Sequence, residues 1–136
     1  MSIEPGDLIA TARGTKVEVC AAAPDVIGAF VSLDLYLIRP NQDRIIPEYL
    51  MAVLESAAAH AAFDGARQGS SLPRLPKAAL ENLSVPLPPL ERQRTVVDLH
   101  RTLDNQARLL SELQAKHAVA SAEFMRRAVV VDTYAR

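Results

Sequence analysis

Pro86, Pro88 and Pro89 fall within four residues, and from Leu90 to Arg127 there is neither proline nor glycine. The proline cluster forbids helix at the junction, because each ring removes a backbone donor and restricts the residue before it. The stretch that follows permits one helix of about 38 residues, roughly 57 Å long at 1.5 Å per residue. A stiff, extended connector must therefore hand over to a long helix, and only the residues before it can build a globule. The pattern predicts a head over 1–89, a helix over 90–128 and a short tail over 129–136.

The helix reads in heptads. Val96, Leu99, Leu103, Gln106, Leu110, Leu113, His117, Ala120 and Phe124 follow unbroken steps of three and four. Seven of these nine positions are apolar, so the stripe calls for a partner helix. A second copy of the same helix, or a similar helix on another protein, is the economical partner, and Gln106 and His117 could set register or orientation. Asp104/Arg108 and Glu112/Lys116 are acid-before-base pairs four residues apart, each favouring the helix by a few tenths of a kcal/mol.

In the head, Asp7–Ala12 and Lys16–Ala21 read as strands joined by a turn over Arg13-Gly-Thr15, with Gly14 free to take positive φ. Val31, Leu33, Leu35 and Leu37 alternate with Ser32, Asp34, Tyr36 and Ile38 and predict a third strand over 31–38. Pro47 opens a helix whose stripe is Leu50, Val53, Leu54, Ala57, Ala58 and Ala61. Residues 63–71 read as an exposed loop. Pro76–Leu83 suits a short helix burying Leu80 and Leu83, and Ser84–Leu87 a final strand. The fold class is α+β: a small mixed head followed by a long coiled-coil helix.

Apolar residues make up 49% and charged residues 23%, a globular balance, and with aromatics at 4% the core must be aliphatic. No apolar run is long enough to span a bilayer, and the N-terminus lacks the regions of a signal peptide, which predicts a cytoplasmic protein. Cys20 reads as a buried structural thiol. Residues 1–83 hold seven Lys/Arg against ten Asp/Glu, while residues 84–136 hold eight against six. Within the acidic head, Gly65–Leu80 carries Arg67, Arg74 and Lys77 and no acid.

No catalytic constellation emerges. His60, His100 and His117 have no Cys at metal-ligand spacing, so no metal is expected. Asp7 and Asp34 could be named a carboxylate pair, but strand faces routinely carry such residues. The glycines match no nucleotide-binding fingerprint. Two polar loops remain. The turn Arg13-Gly-Thr-Lys16 can present Arg13 and Lys16 to phosphates or base edges, and Arg67 to Arg74 offers guanidinium, amide and hydroxyl groups. The bland reading is that both are solvated loops with incidental charge, and composition by itself favours it.

One resemblance shifts that balance. Gly6-Asp-Leu-Ile9 with Arg13-Gly14, Pro47-Glu-Tyr-Leu50 opening a helix, Gly69-Ser70 with Leu75 and Leu80, and Pro86-Leu-Pro-Pro-Leu-Glu-Arg-Gln93 occur in a telling order. Together they resemble the specificity subunits of type I restriction–modification systems, in particular the second half of a target recognition domain and the helix after it. Arg92 stands where that family commonly has an acidic residue. The resemblance implies a head that reads double-stranded DNA and a helix that forms a coiled coil, spacing two recognition domains. It also implies docking of methyltransferase and restriction subunits, with methylation chemistry in a partner and no cofactor held here. A full specificity subunit carries two such domains and two helices, so a homodimer through the C-terminal helix would supply the second half.

The leading expectation is thus a non-enzymatic DNA-recognition module. Arg13, Lys16, Arg67, Gln68, Ser70, Arg74 and Lys77 are the candidate DNA contacts. Val96, Leu99, Leu103, Gln106, Leu110, Leu113, His117 and Phe124 are the candidate helix interface. The alternative is a truncated relative that no longer binds DNA and acts as a dimerising scaffold or an antagonist of full-length subunits.

Overall fold

The computed structural model describes residues 1–67 and 73–134, with side chains as far as Val129. The elements in order are β1 (Leu8–Thr11), β2 (Val19–Ala21), a 3-10 turn (Pro24–Val26), β3 (Leu35–Ile38), α1 (Pro47–Leu54), α2 (Ala57–Ala66), α3 (Lys77–Glu81) and α4 (Leu90–Tyr134). The architecture is α+β with a long C-terminal helix, as the sequence predicts. Two compact units make up the chain, Met1–Asp98 and Leu99–Arg136.

In the first unit β1 is the central strand, with β2 and β3 antiparallel on either side. Leu8 pairs with Ala21 and Ile38, and Ala10 with Val19 and Tyr36. Leu8, Ala10, Val19, Tyr36 and Ile38 share the face that meets Tyr49, Leu50, Leu54, Ala59 and Phe63 in the core. The register also settles Cys20, which lies opposite Ile9 on the other face and is exposed. The expectation of a buried thiol is wrong. Val17 and Val19 point inward, so the residue after Val19 must point out.

β3 is shorter than the alternation suggested. A turn in which the Leu35 N–H donates to the Ser32 carbonyl (3.1 Å) precedes it, and Leu33 is 90% exposed. The single helix expected after Pro47 is two. The Ser56 hydroxyl donates to the Val53 carbonyl (2.6 Å) and accepts from the Ala59 N–H (3.3 Å), which caps a new helix. The new helix has a new phase: Ala59 and Phe63 are buried, whereas Ala57, Ala58 and Ala61 are exposed. Phe63, expected in an exposed loop, is among the most deeply buried side chains. Leu80 and Leu83 are half-buried, packed against the core rather than inside it.

Ser84–Leu87 forms no strand. Pro86 within it and Pro88 after it leave too few donors for a ladder; the Tyr49 hydroxyl donates to the Pro86 carbonyl at 2.9 Å, and Val85 packs against the core. α4 starts at Leu90, directly after the last proline, and runs beyond the expected end to Tyr134. Its first turns belong to the head. Gln93 is fully buried and Val97 nearly so.

Candidate nucleic-acid interface

The end of the sheet is built by a strap. β1 runs out at Thr11, and the chain after it is held by residues 73–75, far away in sequence. The Leu75 N–H donates to the Ala12 carbonyl (2.7 Å), and the Gly14 N–H to the Pro73 carbonyl (3.0 Å). Arg13 and Arg74 pair as an isolated antiparallel bridge between them. The Tyr36 hydroxyl donates to the Leu75 carbonyl at 2.6 Å and fastens the strap to β3. Gly14 has φ +116°, a conformation a side chain would strain, so the turn can stay tight beneath the strap.

Two arginines thereby meet one acid. Arg13 Nε donates to Asp34 Oδ1 at 2.6 Å. Arg74 Nη1 lies 3.7 Å from the same oxygen, and its Nη2 donates to the Leu33 carbonyl at 3.2 Å. The Arg74 guanidinium also sits 5.9 Å from the centre of the Tyr36 ring. All three charged side chains are open to solvent, Asp34 at 62%. Two cations around one anion leave a net positive corner. Lys16, exposed, stands on the turn beside it.

The other candidate contacts are placed differently. Arg67 ends α2, its side chain is 9% exposed, and it lies 3.5 Å from Asp64 on its own helix. Lys77 is exposed and reaches Glu81 one turn along α3 at 3.5 Å. Gln68 and Ser70 lie outside the described residues. Of the seven candidates, the described contacts bring Arg13 and Arg74 together and leave Arg67 and Lys77 each with a local acid.

Asp7 and Asp34 are not a pair. Asp7 is buried and accepts from Arg39 Nε (2.8 Å) and Nη2 (2.7 Å) and from the Glu4 N–H (2.7 Å). The Arg39 guanidinium, more than the other partners, holds its carboxyl below the usual carboxylate range although burial pushes the other way. That network ties β3 to the segment before β1.

Sequence reasoning missed the roles of Asp34, Tyr36 and Gln93. Gln93 Oε1 accepts from the Ile46 N–H (2.8 Å), and its Nε2 donates to the carbonyls of Arg44 and Pro88 (2.9 Å each). A fully buried amide thus locks the connector to the start of α1. The signal in the sequence was its place at the end of the Pro86–Gln93 run, three residues into a helix.

In the second unit Leu99, Leu103, Leu110, Leu113 and Phe124 are exposed, as are Gln106 and His117, and Val96 in the first unit is partly so. Leu109, Val119, Met125 and Val129 are exposed as well and lie off the heptad seam. No described helix is long and apolar enough to cross a membrane.

A small α+β domain with a basic corner is followed in the chain by a long helix with exposed apolar residues. Residues 5–116 match the type I restriction modification DNA specificity domain, and the chain belongs to that family. It is 29% identical over 91 residues to the putative type I restriction enzyme MjaX specificity subunit of Methanocaldococcus jannaschii, covering 66% of this chain and 21% of that protein. It is also similar to a chain solved to explain complex assembly and conformational transition of the type I restriction–modification system (30% identity, TM-score 0.71, 84% of this chain and 30% of that one). The HsdS subunit from Thermoanaerobacter tengcongensis is similar too (28% identity, TM-score 0.68, 85% and 30%). The chain spans about a fifth of the curated relative and under a third of each solved chain.

Proposed function

We propose that this chain is a non-catalytic DNA-recognition module of a type I restriction–modification complex. The head contacts double-stranded DNA through the Arg13–Arg74 corner and Lys16. α4 pairs with a second copy through the stripe centred on Leu103 and Leu110 and helps dock methyltransferase and restriction subunits. The observation that carries the reading is the convergence of Arg13 and Arg74 on one exposed corner, in a chain of the specificity-domain family. Guanidinium groups on a loop braced by a sheet suit phosphate and base-edge contact. Methylation then takes place in a partner subunit that holds the cofactor.

The alternative, a scaffold or antagonist without DNA contact, draws support from the head's excess of acids and from Asp34 offsetting one arginine. A salt-titrated duplex-binding assay separates the two. DNA contact by a few basic residues should weaken steeply with salt, the slope reporting the number of phosphates engaged. Failure to retain any duplex at about 50 mM salt, with or without a methyltransferase subunit, would leave the scaffold reading.

A further inference from the structure

We propose that Asp34 is a positioning residue that aims Arg13 at the major-groove edge of a guanine, with Arg74 as its brace. This rests on the DNA-contact reading above and goes beyond it, by dividing the work within the cluster and naming the base.

The division follows from which nitrogens are engaged. Asp34 takes Arg13 through Nε alone. Among the described residues nothing accepts from Arg13 Nη1 or Nη2, so the terminal fork of the guanidinium is presented while its side edge is held. That fork matches the O6 and N7 acceptors of guanine, the commonest bidentate contact of arginine with a base. Arg74 is engaged differently. One terminal nitrogen is committed to the Leu33 carbonyl, the other faces Asp34, and the guanidinium rests beside Tyr36. It has less to offer a ligand and more to keep Asp34 in place.

The presence of Asp34 also bears on what the corner contacts. A solvent-exposed Arg–Asp contact contributes little to folding, so stability gives no strong reason for it. If the corner served only to grip phosphate, a carboxylate held against the same guanidinium, 2.6 Å from its Nε, would work against it, because it repels the phosphate charge. A guanine edge is neutral and meets no such opposition. The second carboxylate oxygen, Oδ2, has no hydrogen-bond partner among the described residues and can accept from the cytosine amino group that accompanies guanine. The arrangement favours a G·C pair over the backbone.

The test uses the full chain and a pool of duplexes of randomised sequence, with bound molecules recovered and sequenced at two salt concentrations. The wild-type chain should enrich duplexes carrying guanine at a fixed position, by roughly five- to a hundred-fold over other bases. Replacing that guanine with 7-deazaguanine, which lacks the N7 acceptor, should remove most of the preference. Asp34→Asn should lose it too, with the salt slope, which counts phosphate contacts, unchanged. Arg13→Lys should keep the slope and lose the preference, and Asp34→Glu should restore part of it. Thermal melts of each variant establish that the head is folded. If Asp34→Asn binds every duplex more tightly and keeps the guanine preference, the acid merely masks charge and the inference is overturned. A wild-type chain that binds duplex with no guanine preference overturns it as well. A wild-type chain that retains no duplex at all removes the DNA-contact reading itself, an outcome distinct from both.

Discussion

Gln93 uses both ends of its amide inside the head, and no water is needed to satisfy it. Gln93→Ala leaves the Ile46 N–H and two carbonyls without their partner, and should cost about 2–4 kcal/mol in a denaturant titration. Gln93→Glu keeps an acceptor for Ile46 but replaces the doubly donating Nε2 with an oxygen that repels both carbonyls, so it should rescue little. Asp7 acts at the same scale through pH. Its carboxyl is held below its ordinary value, so its contribution is fully present above the unfolded pKa near 4 and is lost as pH falls through the folded value. Denaturation midpoints at pH 7 and at about pH 3 should therefore lie further apart for the wild type than for Asp7→Asn. Neither role was legible in the sequence. Both depend on partners more than thirty positions away (Arg39 for Asp7; Arg44 and Ile46 for Gln93), and no local period carries that information.

Elements were legible where a short-range rule governs them. The proline run sets where α4 begins, and the alternation around β1 and β2 gives their inward faces. The same alternation already implied an outward Cys20, since Val17 and Val19 cannot both face the core unless Cys20 does not. The strand expected over 31–38 forms only from Leu35, and the one expected over 84–87 does not form. An apolar alternation supplies a face to bury but not a neighbour to pair with, and Leu33 and Leu87 stay exposed. The α1–α2 break was hidden because alanine suits any helical phase, so nothing in residues 57–62 announces the rotation. Ser56 does announce it, as an N-cap residue. Ser56→Ala should cost about 1 kcal/mol of head stability, measured by thermal melting. Ser56→Asp should recover part of that loss by keeping a side-chain oxygen for the Ala59 N–H.

At the scale of the whole molecule, the α+β head and long helix were both readable, because the composition switch at the prolines is abrupt. The candidate site was only half readable. Arg13 and Arg74 were nominated separately, but the strap that brings them together runs through backbone hydrogen bonds that side-chain chemistry does not encode. The pairing proposed for α4 makes its own prediction. Replacing Leu103 and Leu110 together with Asp puts charge into the seam and should convert a dimer into a monomer by light scattering. An unchanged mass would show that self-association does not use this stripe.

Gln93 and Val97 are the last residues of α4 to contribute to the head's interior, and the head's core is complete by Asp98. Under the proposed pairing, the seam centred on Leu103 and Leu110 lies beyond the residues that close the head's interior. Differently tagged versions mixed in one tube should trade partners at the speed at which helices part, with every head staying folded throughout. Recognition halves of different preference could thus be recombined after synthesis, yielding mixed species whose composition follows their relative abundance.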